Sequence, residues 1–138
     1  MKMKWYAIVF CAAVLLAAAC SNGALHDGVY EGQSGEDDLG AYGKVLITVK
    51  DGKINGCDFV TRQKDGTIKG ANYGKVNGEI ANRDFYEKAQ LAVRAMKRYA
   101  EQYVETQDLK AVDVVSGATI AYNQFLEAAE EALAMARK

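Results

Sequence analysis

Apolar and polar residues alternate along the first half of the chain, which is the period of half-buried β-strands. A short strand is predicted over 28–34, where aromatic and β-branched residues lie between glycines. The alternation is clearest over 44–50, and the dipeptide Asp51-Gly52 that follows is typical of a tight hairpin turn. The return strand of this hairpin is predicted over 54–63.

The second half of the chain changes to a helical period. Asp84 is predicted to cap a helix of five to six turns, with Glu87 at the spacing of a capping box. A second helix closes the chain, and residues 111–115 between the helices predict either a short buried strand or a strand-like lead-in to the second helix. The apolar faces are predicted from residues three or four apart: Phe85, Ala89, Ala92, Val93, Met96, Ala100 and Tyr103 in the first helix, and Phe125, Leu126, Ala129, Leu133 and Ala136 in the second.

This order of elements predicts a single α+β domain, a small antiparallel sheet with helices packed on it. The 138 residues suffice for one hydrophobic core. A formal net charge of -1 offers no basic surface for nucleic acid. The lone histidine, His26, falls in a linker, so neither a metal site nor a histidine-based catalytic centre is expected.

The N-terminus resembles a bacterial lipoprotein leader. Residues 1–19 combine lysines with an uncharged apolar stretch, which indicates a signal peptide. Cys20 follows three alanines and resembles the lipidated cysteine of a lipobox, although Ala17 stands where leucine is usual. Residues 20–27 would then be a lipidated tether and 28–138 the domain, held on the extracytoplasmic side of the cell membrane, or at an outer membrane if there is one. Ordinary cleavage without lipidation is the alternative.

The cysteines agree with export. Cys11 lies in the leader and Cys20 in the lipobox, so Cys57 alone remains for the domain and no intramolecular disulfide is expected. Cys57 is interpreted as a small buried apolar residue of the return strand.

The segment 113–119, Asp-Val-Val-Ser-Gly-Ala-Thr, precedes the last helix. Ser116 is predicted as its N-cap, Gly117 and Ala118 allow another molecule to come close, and Thr119 lies in the first turn. The free N–H groups and dipole of a helix start favour a phosphate. The alternative is a helix cap without a ligand. No base stands at a spacing that would activate either hydroxyl, which disfavours a hydrolase.

The same segment resembles the flavinylation motif of the FMN-binding domain family. That family includes the C subunit of sodium-pumping NADH:quinone reductase and the G subunit of the Rnf complex. The resemblance implies that Thr119 carries FMN through a phosphoester, made by a magnesium-dependent flavin transferase of the ApbE type from FAD. Asp113, Ser116, Gly117 and Ala118 match the other fixed positions. The family pattern commonly continues with Thr and Ser, where this chain has Ala121 and Tyr122.

The resemblance implies an electron carrier that performs no catalysis of its own. It would be reduced by a membrane-bound reductase and oxidised by a quinone-linked or external acceptor. The polar, glycine-rich segment 32–43 is either a flexible connection or a loop that approaches the flavin. Tyr122 is expected either to stack on the flavin ring or to pack in the core. Two alternatives remain open: a lipoprotein that binds flavin or another ligand noncovalently, and a structural or immunogenic surface lipoprotein without a cofactor.

Overall fold

A three-stranded antiparallel sheet forms one layer of the domain in a computed structural model, which describes residues 23–138. Its strands β1 (Gly28–Gln33), β2 (Tyr42–Lys50) and β3 (Lys53–Arg62) lie side by side in chain order. The predicted hairpin is confirmed: Asp51 and Gly52 have φ values of 53° and 74°. Positive φ at both central residues is what a type I′ turn requires.

Two helices, α1 (Arg83–Thr106) and α2 (Thr119–Ala136), pack on this sheet, α2 over β1 and β2, and α1 over β3. The alternate residues of β2 that point at the helices are fully buried, which confirms the predicted α+β class. Within residues 23–138, no helix combines the length and apolar character needed to cross a membrane. The largest fully buried side chains come from both layers: Val45, Ile47, Thr61, Tyr99, Tyr103, Val112 and Phe125.

The contact between β1 and α2 has no room for a side chain on the strand. A Cβ atom at Gly32 would lie 1.9 Å from the carbonyl oxygen of Ala128 and 2.6 Å from the amide nitrogen of Ala132. Both alanines are fully buried. A glycine on the strand and alanines on the helix therefore let the two backbones touch, which fixes the position of α2 on the sheet.

The start of α1 differs from the prediction. Its N-cap is Asn82, whose side chain accepts a hydrogen bond from the amide of Phe85 at 3.0 Å, so the prediction of Asp84 as cap is wrong. Asn and Asp cap helices equally well, and local sequence could not choose between them. The burial of α1 begins at Ala89, and Phe85, predicted on the inner face, is 56% exposed.

Residues 111–115 form no strand of the sheet, so the first of the two alternatives for this segment is wrong and the strand-like lead-in is confirmed. A 3₁₀ turn, Leu109–Ala111, is followed by extended backbone that pairs with no strand. The side chain of Gln102 on α1 takes the place of a neighbouring strand: its Oε1 accepts from the amide of Asp113 at 3.0 Å, and its Nε2 donates to the carbonyl of Asp113 at 3.3 Å. An apolar run can thus be extended without joining a sheet.

Replacing Gly32 with alanine is expected to destabilise the domain by about 1–3 kcal/mol, because the added methyl group overlaps the backbone of α2. Urea denaturation of the purified chain measures this change. Gly56→Ala is the matched control on β3, where the nearest atom to an added Cβ lies 3.8 Å away. Equal stabilities of the two variants would contradict the close packing of β1 on α2.

Candidate functional site

The candidate site is built on the turn that leads into α2. Gly117 adopts a φ of +85°, and the amide of Ala118 donates to the carbonyl of Val115 at 3.0 Å, which closes a tight turn. A residue with a side chain is strained at such a φ, so glycine is needed here. The turn directs the chain from the extended segment into the helix within a few residues.

A buried tyrosine of α1 holds this turn from inside the protein. The Tyr99 hydroxyl accepts a hydrogen bond from the amide of Val115 at 2.9 Å and donates one to the carbonyl of Ala118 at 3.1 Å. Tyr99 is fully buried, and burial raises the pKa of its phenol, so the hydroxyl keeps its proton at neutral pH. The two hydrogen bonds of Tyr99, together with those of Gln102 to Asp113, fix residues 113–118 against α1.

The helix α2 begins without a side-chain cap. Its N-cap residue is Ala118, whose carbonyl accepts from the amide of Tyr122 at 3.0 Å. The prediction of Ser116 as cap is therefore wrong; Gly117 and the turn displace its exposed side chain from the helix start. The amides of Thr119, Ile120 and Ala121 keep no intrahelical partner, and the helix dipole adds positive potential there. This helix start can bind a phosphate.

Thr119 is the first residue of α2 and its side chain is exposed. Within residues 23–138, the hydroxyl of Thr119 takes part in no hydrogen bond. Thr119 lines a cleft of about 350 Å³, within the size range of small-molecule sites, about 300–1,000 Å³. The cleft is lined by the loop after β1, the end of β3 and the segment that follows it, the turn before α2 and both helices: Asp37, Leu39, Thr61, Lys69, Tyr73, Ala92, Met96, Gly117, Ala118, Thr119, Ile120, Ala121 and Gln124.

One cation faces this cleft among its lining residues. Lys69 places its ammonium group 5.0 Å from the centre of the Tyr73 ring. Both residues also line an adjoining cleft of about 270 Å³. A cation in the same cleft as a free helix start suits an anionic ligand, whereas Ala92 and Met96 contribute an apolar wall.

The structure brings only part of the predicted residue set to the cleft. Gly117, Ala118 and Thr119 line it, whereas Ser116 and Asp113 do not. Both of these residues are exposed, and the backbone of Asp113 is the part that Gln102 binds. Segment 32–43 was expected to be either a flexible connection or a loop that approaches the flavin. Its residues 37 and 39 form one wall of the cleft.

Tyr122 packs in the core, one of the two arrangements expected for it. Its ring lies edge-on to Tyr99, with centroids 5.4 Å apart, and its hydroxyl donates to the carbonyl of Val112 at 3.0 Å.

Cys57 is half-buried in β3, and burial raises the pKa of its thiol to about 12, which keeps the thiol protonated and unreactive. Cys20 lies outside the described residues.

The sequence interpretation missed the other walls of the cleft. Lys69 and Tyr73 lie in a polar segment without a periodic pattern, and only the fold brings them beside α2. For Gln124, the sequence pattern could have indicated a role. It stands between Ala121 and Ala128 on the buried face of α2, and a polar residue on an apolar face calls for a partner.

Tyr99→Phe is expected to lower the free energy of unfolding by about 1–3 kcal/mol, because the amide of Val115 and the carbonyl of Ala118 lose a partner. Hydrogen exchange at the Val115 amide should accelerate as well. Tyr122→Phe is the control: it removes a single bond, to Val112, and should leave the Val115 amide protected. Unchanged exchange at Val115 in Tyr99→Phe would contradict the role of this hydroxyl.

Two solved structures are similar to this chain. The crystal structure of the CPE2226 protein from Clostridium perfringens is similar at 27% identity, with a TM-score of 0.62, over 81% of this chain and 88% of that one. A solution structure from Clostridium thermocellum is similar at 28% identity, with a TM-score of 0.49, over 81% and 92%. No curated protein matches the chain significantly.

The sequence profile of the FMN-binding domain matches residues 39–134, which run from the cleft loop through β2, β3 and α1 to the end of α2. The matched segment contains every residue that lines the cleft except Asp37. A free helix start for a phosphate, a neighbouring cation and an apolar wall are features that suit FMN. The chain therefore belongs to the FMN-binding domain family, and its cofactor is FMN.

Proposed function

We propose that this protein is a lipid-anchored electron carrier whose FMN is joined through its phosphate to Thr119. The observation that carries the proposal is the position of the Thr119 hydroxyl. It is exposed, it makes no hydrogen bond within the described part of the chain, and it stands at an uncapped helix start beside the cleft. A hydroxyl placed in this way is accessible to a modifying enzyme and lies where a phosphate is stabilised.

Attachment is a phosphoryl-type transfer with FAD as donor. The phosphoester bond forms between the Thr119 oxygen and the phosphorus of the FMN half, the pyrophosphate bond of FAD breaks, AMP leaves, and the hydroxyl proton passes to a base. In this proposal the base and the magnesium ion come from a flavin transferase of the ApbE type, as the family resemblance implies.

The bound flavin supplies the redox chemistry, and this chain supplies position and environment. The free amides at the start of α2 and the ammonium group of Lys69 offset the charge of the phosphate. Gly117 and Ala118 leave the phosphate room beside the backbone, and the apolar wall formed by Met96 keeps water from one side of the cleft.

The start of the described chain and the candidate flavin site lie at opposite ends of α2. The described chain begins at Gly23, where a Cβ would contact Arg137 at 3.9 Å, and the amide of His26 donates to the carbonyl of Ala136 at 2.8 Å. Thr119 lies at the other end of this 18-residue helix, about 26 Å away along its axis. With a lipid at Cys20, the flavin is presented away from the bilayer, toward a reductase domain that projects from the membrane or an external acceptor.

Thr119→Ala is expected to abolish covalent loading when the chain is produced with a flavin transferase in an exported form. Flavin fluorescence that survives denaturation is the measurement, together with a mass gain of FMN less one water. Thr119→Ser should keep loading because it keeps the hydroxyl. Flavin released by denaturing the wild-type chain would instead indicate noncovalent binding.

Cys20→Ala is expected to move the protein from the membrane fraction to the soluble extracytoplasmic fraction or to leave it with an uncleaved leader. Cell fractionation and intact mass measure this, and a lipid-modified cysteine should appear only in the wild-type chain. Cys57→Ala is the control, because Cys57 lies in the folded domain. A wild-type protein that is soluble and carries no lipid would overturn the anchor.

A further inference from the structure

Gln124 lies in the second turn of α2, and its side chain is held in one orientation. The residue is 6% exposed, and its Nε2 donates a hydrogen bond to the carbonyl of Ala41 at 2.9 Å. Rotating the amide by a half turn would set two oxygens against each other at this contact. The carbonyl of Ala41 therefore fixes which atom of the amide is left for other partners.

The atom that remains, Gln124 Oε1, is buried and has no hydrogen-bond partner. Within residues 23–138 it is the one buried side-chain nitrogen or oxygen in this condition. Gln102, a second buried glutamine, satisfies both of its amide atoms on the backbone of Asp113. Buried polar atoms are nearly always paired, and an unpaired acceptor points to a donor that is supplied by another molecule.

Gln124 lines the same cleft as Thr119. It follows Thr119 by five residues on the helix, a rise of about 7.5 Å along the axis. Ala92 and Met96 give this cleft an apolar surface, and Gln124 is the one buried polar residue of α2 that lines it. The oxidised isoalloxazine ring carries a single N–H group, the imide of its pyrimidine edge, and its other polar atoms are acceptors.

We propose that Gln124 is a positioning residue whose Oε1 accepts a hydrogen bond from the imide N–H of the flavin ring. The inference rests on the proposed attachment of FMN to Thr119. It assigns an orientation, because the pyrimidine edge of the ring enters the cleft toward α2 and the dimethylbenzene edge lies toward the opening. Electrons then reach and leave the ring through the exposed edge.

The test compares the flavin-loaded and unmodified forms of the full chain for the wild type, Gln124→Met and Thr106→Val. Thr106 is the last residue of α1 and does not line the cleft, and its hydroxyl donates to the carbonyl of Gln102 at 2.7 Å. Loading should raise Tm by about 3–6 °C more in the wild type than in Gln124→Met. In Thr106→Val, the gain on loading should equal that of the wild type.

A direct readout in the wild-type chain covers the case in which Gln124→Met does not fold. With isotopically labelled flavin, the imide proton should exchange with solvent about tenfold more slowly than in free FMN. Equal gains in Tm for wild type and Gln124→Met, or an imide proton that exchanges as in free FMN, would overturn the assignment. Intact mass reports loading separately, so a failure of attachment at Thr119 is distinguishable from a loaded ring that does not contact Gln124.

Discussion

The site depends on two hydrogen bonds made by one buried hydroxyl. Tyr99 accepts from the amide of Val115 and donates to the carbonyl of Ala118, so the turn before α2 is held at both ends by α1. This turn places Gly117 in a left-handed conformation and leaves the first amides of α2 without a side-chain cap. An uncapped helix start is a cost to the isolated fold, and it becomes an advantage when a phosphate occupies that position.

The sequence predicted the parts of the fold that have strong local signals. The hairpin follows from its alternation and its Asp-Gly turn. The predicted inner face of α2 is confirmed at Phe125, Ala129 and Ala136, whereas Leu126 and Leu133 are half-buried and the buried Ala128 and Ala132 were not predicted. The strand alternative for the extended segment before α2 was wrong because its hydrogen-bond partner is a side chain, Gln102, instead of a strand. Choosing between Asn82 and Asp84 as cap of α1 likewise depends on tertiary packing, since both are good caps.

The candidate site was predictable only along one stretch of chain. Residues 117–119 could be found because a motif and a helix start coincide there. The remaining walls come from the loop after β1, the segment after β3 and the middle of α1, which are far apart in sequence. Lys69 and Gln124 belong to no sequence motif, and they are connected with the site only because both line the same cleft. The prediction of Ser116 as N-cap of α2 was wrong, because Gly117 turns the chain before the helix begins.

The helix α2 spans the domain from the start of the described chain to the cleft. Its C-terminal end contacts residues 23 and 26, and its N-terminal end lines the cleft. The close contact of Gly32 with Ala128 fixes that helix on the sheet. In the proposed electron carrier, this arrangement would separate the N-terminal start of the domain from the flavin by the length of the helix.

The central claim is that the Thr119 hydroxyl and the cleft beside it form one flavin site. Comparison of backbone amide NMR shifts between the flavinylated and unmodified chain tests it most directly. The account predicts large changes at residues 117–121 together with Thr61, Lys69 and Gln124, which are distant in sequence and share the cleft. Changes confined to the turn around Thr119, with the cleft residues unaffected, would contradict it.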